Sequence, residues 1–161
     1  MNLKDFYSHY LSRIQKENVK NVFGADEIKA IEMFGEELTF EKFASAAPNS
    51  IKLECVKLGF MEFLPYLFFK NLSLEDYIEM LTRADDKSKT FILKFLKARF
   101  KKAGFKVQEI KECFLKYYFD PSIIDYGCLL SEEILEIINF TPDVQTKLFL
   151  FEILKGRGVL E

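Results

Sequence analysis

The chain of 161 residues is 49% apolar, 30% charged and 16% aromatic with only 7 Gly and 4 Pro, a mixture that excludes a disordered or low-complexity polypeptide. A domain of this length buries roughly 68–70% of the surface its unfolded chain exposes, so it forms a core without disulfide or metal staples. Lys plus Arg number 23 against 25 Asp plus Glu, a net charge of −2, and the molecule as a whole is no electrostatic partner for nucleic acid.

From Leu3 to Phe23 the apolar residues Leu3, Phe6, Tyr7, Tyr10, Leu11 and Ile14 keep the spacing of a helix with one buried face, and Gly24 reads as its stop. Asp26 suits the N-cap of a short helix carrying Ile28, Ile31 and Phe34 up to Gly35. Thr39 suits the cap of another, carrying Phe40 and Phe43 up to Pro48. From Ser50 onward Ile51, Leu53, Val56, Leu58, Phe60, Met61, Phe63 and Leu64 point in nearly every direction around a wheel, the pattern of a central helix that Pro65 bends or ends. Ser73-Leu74-Glu75-Asp76 has the form of a capping box opening a helix from Leu74 to Arg83.

A basic helix follows from about Ser88 to Ala103, with Ile92, Leu96, Phe100 and Ala103 on one face and Gly104 as its stop. Ile110, Phe114 and Tyr117 mark the next. Asp120-Pro121 restarts the chain, because proline fits the first helical turn. Ser131 with Glu132 and Glu133 begins another helix, the acids complementing the positive end of its dipole. Thr141-Pro142-Asp143 opens the last, Asp143 to Lys155, which Gly156 closes. No alternating strand and no Asn-Gly or Asp-Gly hairpin signal occurs. The expected fold is all-α, a compact bundle of about eight to ten short helices forming a single domain over residues 1–161, since no Ser/Gly-rich linker interrupts it.

Cys55, Cys113 and Cys128 are odd in number, widely spaced and set beside apolar neighbours. They read as reduced core residues in a cytoplasmic protein. The N-terminal residues lack the apolar core of a signal peptide. The run Leu58 to Phe69 is too short for a membrane span, so no membrane is expected as a partner. With His9 the only histidine and no C-x-x-C, a zinc set cannot be assembled. The signatures of nucleotide-binding loops, nucleophile elbows, zinc proteases and EF-hands are all missing. No cofactor, metal or catalytic residue is therefore assigned. Glu62 and Glu152 are acids inside apolar runs, each reading as the polar edge of a mostly buried helix and each able to orient a groove.

Residues 87–107 hold eight basic side chains and no acid. On a helical wheel Lys94, Lys97 and Lys101 form one stripe, and Arg99, Lys102 and Lys106 form a second near Phe91 and Phe95, a pattern that suits phosphates and stacked bases. It suits a solvated helix face equally well, or a face docked on an acidic protein. Ala103–Glu112, in which Gly104-Phe105 opens a helix with Glu109-Ile110 near its start, resembles the segment that follows the DNA-reading module of MerR-type regulators. Residues 1–86 hold no counterpart of that family's winged helix-turn-helix, so the resemblance transfers no DNA-contacting residue.

The expected function is non-catalytic binding of another protein by a small adaptor, inhibitor or immunity-type module, with a homodimer as one possible form. The 18 Phe and 7 Tyr exceed what a core of this size requires, and aromatic anchors dominate interfaces. The expected docking face is Phe60, Met61, Glu62, Tyr66, Phe68 and Phe69. Nucleic-acid or anion binding by the basic helix is the alternative. An enzyme of unrecognised class would instead need a cleft where carboxylates, lysines or tyrosines converge.

Overall fold

The computed structural model describes residues 1–159. Among them are nine α-helices and three short 3₁₀ helices, with no β-strand. The fold is all-α. The chain forms two compact units, Met1–Phe68 and Phe69–Glu161. Their boundary falls between two phenylalanines, without the Gly/Ser composition that would announce it in the sequence.

The first unit holds α1 (Leu3–Lys16), α2 (Ala25–Phe34), α3 (Phe40–Ala46), α4 (Asn49–Lys57) and a 3₁₀ helix, Met61–Tyr66. Its core is a continuous cluster of rings. Phe6 meets Phe40 at 4.6 Å and Phe63 at 5.4 Å between centroids. Tyr10 meets Phe23 at 4.8 Å and Phe60 at 5.0 Å, and Phe40 meets Phe63 at 4.9 Å. Most of these pairs are tilted or edge-on, the geometry that the ring quadrupole favours. The one polar atom that Tyr10 carries into this cluster is satisfied: its hydroxyl donates to Asn21 Oδ1 at 2.9 Å and accepts from the Val22 amide. Burial pushes the Tyr10 hydroxyl up to about 12.

Two helix ends in this unit differ from the sequence reading, for one reason. The first helix stops at Lys16, well before Gly24, because Asn18 adopts φ 55°. Its amide donates to Gln15 O and the Val19 amide to Ile14 O at 2.8 Å, the paired bonds of a Schellman motif. Gly24 instead caps the start of α2, which places Asp26 in the first turn. The apolar helix expected from Ser50 to Pro65 is likewise cut in two. At Gly59, φ 97°, the same motif returns: Gly59 N–H donates to Val56 O and Phe60 N–H to Cys55 O at 3.0 Å. The chain then turns, and Phe60, Phe63, Leu64 and Leu67 all drive inward.

The second unit contains α5 (Leu74–Arg83), α6 (Asp86–Lys102), α7 (Val107–Lys116), α8 (Ser131–Phe140) and α9 (Val144–Gly156). Two 3₁₀ turns, Pro121–Ile123 and Tyr126–Cys128, stand where a helix was expected from Asp120-Pro121. Ser73 and Asp76 form the expected capping box at α5. Asp85 and Asp143 accept amide hydrogens at the starts of α6 and α9. The core is largely aliphatic, with Ile92, Leu96, Ile110, Ile134, Ile137, Leu150 and Leu154 all buried. α9 runs through Gly156 and ends in a third Schellman motif, at Gly158 with φ 76°. Arg157 follows that helix and donates to the carbonyls of Tyr126 and Leu129, tying the 3₁₀ segment down. No helix among the described residues is long and apolar enough to cross a membrane.

Candidate functional site

The expected docking segment is divided by its own fold. In the first unit Phe60 is fully buried, so it belongs to the core and cannot touch a partner. Met61 and Tyr66 are half-buried, Glu62 is exposed, and Phe68 is 67% exposed. The Phe68 backbone is held by Asn49, whose side chain accepts from its amide at 2.8 Å and donates to its carbonyl at 2.9 Å. Under the Phe68 ring lies the Lys52 ammonium, 5.0 Å from the centroid and donating to Tyr66 O at 2.9 Å. Burial of that lysine pulls its pKa below the usual value. Phe68 is thus an exposed ring covering a buried cation. In the second unit Phe69 stacks on Phe95 at 4.1 Å with planes 5° apart.

The lysine ridge on α6 is present. Lys94, Lys97, Lys101, Lys102 and Lys106 are exposed, and none has a carboxylate at ion-pair distance among the described residues. Arg99 leaves the group. Its guanidinium donates to Leu72 O at 2.7 Å and lies 4.5 Å over the Phe105 ring, so it joins segments of the core instead of facing solvent. The aromatic half of that pattern is also weakened, because Phe69 already covers one face of Phe95.

Two grooves in the second unit bring polar groups together. One, about 510 Å³, is lined by Glu75, Glu109, Glu112, Cys113, Lys116 and Tyr117 among others. Its polar groups already satisfy one another. The Tyr117 hydroxyl lies between Glu75 and Glu79, within hydrogen-bond distance of both and 2.8 Å from the latter, and shares its single proton between them. Lys116 pairs with Glu75 at 2.8 Å, and Glu109 accepts from the Leu74 amide at the start of α5. The Lys116 bond, then the Tyr117 bond, hold Glu75 below the ordinary carboxylate range. Burial and the two acids push Tyr117 above the ordinary phenol range. Cys113 beside them is a buried thiol pushed up to about 12 by desolvation, as is Cys55 in the first unit, so neither is a nucleophile at neutral pH. The arrangement is an internal tie between α5 and α7.

The other groove, about 590 Å³, runs along α9 and is lined by Tyr118, Phe119, Pro121, Leu148, Phe149 and Glu152 among others. Tyr118 is 83% exposed. Beside it α9 carries a second apolar stripe, facing away from the buried Leu150 and Leu154. Val144 is 64% exposed, Leu148 54% and Phe151 38%. Their spacing of four and three residues puts them on one line. Glu152 stands exposed at the lip, the orienting position that its apolar setting suggests in the sequence.

The α9 face escapes the sequence reading because Val144, Leu148 and Phe151 share their helix with Leu150 and Leu154. A wheel apolar on two sides gives no sign of which side the core takes. His9 is exposed, and no group of three or more His, Cys, Asp or Glu among the described residues is arranged to hold a metal ion. No known protein family, curated protein or solved structure matches the chain.

Proposed function

We propose that the chain is a non-catalytic protein-binding module of the cytoplasm whose docking face is Val144, Leu148 and Phe151 on α9 together with Tyr118. The observation that carries this reading is the exposed apolar line beside an open groove, on a helix whose opposite side already fills the core. Contiguous apolar surface of a few hundred Å² on a monomer marks contact sites. Tyr118 supplies the aromatic anchor and Glu152 a charge at the rim. The test places a photo-cross-linking residue at Leu148 in the full chain, and in a second version at Ser12 on the exposed side of α1. A discrete adduct at 148, missing at 12 and lost on adding Phe151→Asp, is the expected result. Equal labelling at both positions overturns the reading.

A second reading rests on the unpaired lysines of α6. Lys94, Lys97 and Lys101, with exposed Lys87 on the same line, would meet a linear polyanion. Four phosphate contacts give a log–log salt slope of about −3.6, roughly a hundredfold loss of duplex affinity between 50 and 200 mM salt. A salt-sensitive complex lost on Lys97→Glu with Lys101→Glu would promote this reading above the first. Binding no tighter than roughly 10⁻⁴ to 10⁻⁶ M at physiological salt leaves α6 a solvated face.

A further inference from the structure

We infer that the occupant of the α9 face is a second copy of the same chain, its α9 running parallel across a two-fold axis; this rests on the docking reading above. Val144, Leu148, Phe151 and Lys155 are spaced four, three and four residues apart, the alternation of the two seam positions of a heptad. Lys147 and Glu152 flank that line on opposite sides and are five residues apart. Neither has an ion-pair partner among the described residues.

In a parallel pair the two opposite flanks meet. Each Lys147 then faces the second copy's Glu152, five residues further on, and the symmetry makes the bridge twice. In an antiparallel pair each flank meets its own kind, so Lys147 and Glu152 lie on opposite sides of the seam and form no bridge. The charges therefore select one orientation. Leu148 and Phe151 form the central layers, the Lys155 stem extends the apolar line while its ammonium stays in water, and Tyr118 closes the Glu152 side. α9 has 13 residues, about 20 Å of helix. Alone it would be too short to pair, but here it is already ordered by Leu150 and Leu154 in the core, so association carries no cost of forming the helix.

Sedimentation equilibrium of the full chain over a wide concentration range tests this. A monomer–dimer equilibrium is expected, with Leu148→Asp leaving monomer only while the helical circular dichroism is unchanged. Lys147→Glu alone and Glu152→Lys alone should each weaken the dimer about tenfold, since two attractions become two repulsions. The double variant Lys147→Glu with Glu152→Lys should restore it. An antiparallel pair would not show this pattern, because Lys147 and Glu152 then lie on flanks that do not meet. Monomer at every concentration, or single exchanges without effect, overturns the inference. The two readings fail separately. A cross-link from Leu148 to a different protein with the chain monomeric refutes self-association and leaves the docking face standing, whereas no adduct at Leu148 and no dimer refute both.

Discussion

The two units of this chain use apolar residues in opposite ways. Between Met1 and Phe68 the rings are turned inward: Phe6, Tyr10, Phe23, Phe40, Phe60 and Phe63 are buried and touch one another, and the large exposed apolar side chains are Met1, Met33, Phe34 and Phe68. Between Phe69 and Val159 the centre is mostly branched aliphatic, with the buried rings Tyr77, Phe100, Phe114 and Tyr126 set among those residues. Leu115, Tyr118, Leu130, Val144, Leu148 and others remain in water. The abundance of aromatic residues suggests one binding surface near residues 60–69. The structure separates the two properties, since the ring-rich segment is a core and the exposed apolar surface lies on a helix with few rings. Aromatic content alone therefore does not locate an interface; unpartnered apolar area does.

The largest effect should come from breaking the ring cluster. Phe63→Ala removes a fully buried ring with neighbours in Phe6 and Phe40 and is expected to destabilise the first unit by about 3–5 kcal/mol in urea unfolding. By contrast Ile137→Val in the aliphatic core should cost about 0.5–1.5 kcal/mol. Next comes the tie at the end of α9. Arg157→Ala leaves the Leu129 carbonyl without its donor and the Tyr126 carbonyl with the Leu129 amide alone, both on buried residues, and about 1–3 kcal/mol should be lost from the second unit. Arg157→Lys, which lacks the fork, should recover only part of it.

Much of this was legible before any coordinates. Thr39, Ser73 and Asp143 mark helix starts because their side chains reach the free amides of the next turn, a local interaction that local sequence encodes. Helix ends were harder. Asn18 and Gly59 each end a helix in the left-handed conformation, and Asn18 was hidden by apolar residues that continue through Val19 and Val22 to Phe23. Gly59 sits inside a run that is apolar on all sides, where periodicity cannot place a break. The lysine ridge could be read from spacing, but the loss of Arg99 from it could not. That loss depends on Leu72 and Phe105, contacts made only once the helices are folded together. The α9 face was hidden because its helix is apolar on two sides.

A smaller effect separates the groove between α5 and α7 from the open one on α9. Glu75 is held below its ordinary value, so its contribution to stability is complete above about pH 4.3 and is lost as pH falls through the folded value. Tyr117 is held above its ordinary value, so its contribution is complete below about pH 10 and is lost as pH rises through the folded value. Glu75→Gln should therefore shrink the acid limb of a thermal-midpoint profile, and Tyr117→Phe should reduce both limbs relative to the parent. Glu36 and Asp85, also held low by Lys4 and Ser88, keep the rest of the acid limb. A Tyr117→Phe profile parallel to the parent at every pH would show that the tie carries no linkage.

The smallest expected change is also the sharpest test of the contrast between the units. Leu148→Ser takes an apolar side chain out of α9, but 54% of Leu148 already faces water and its helix is anchored from the other side by Leu150 and Leu154. Stability measured in dilute solution, where any association is suppressed, should move by no more than about 0.5 kcal/mol, the range of surface substitutions that disturb no buried contact. Removal of a buried leucine of the same helix, Leu150→Ala, should cost about 2–5 kcal/mol. If Leu148→Ser instead destabilises the dilute chain by more than 1 kcal/mol, the residue supports the fold and the α9 stripe is core surface left partly uncovered. If it leaves the fold untouched and removes only binding, its apolar side chain is explained by a partner and by nothing within the monomer.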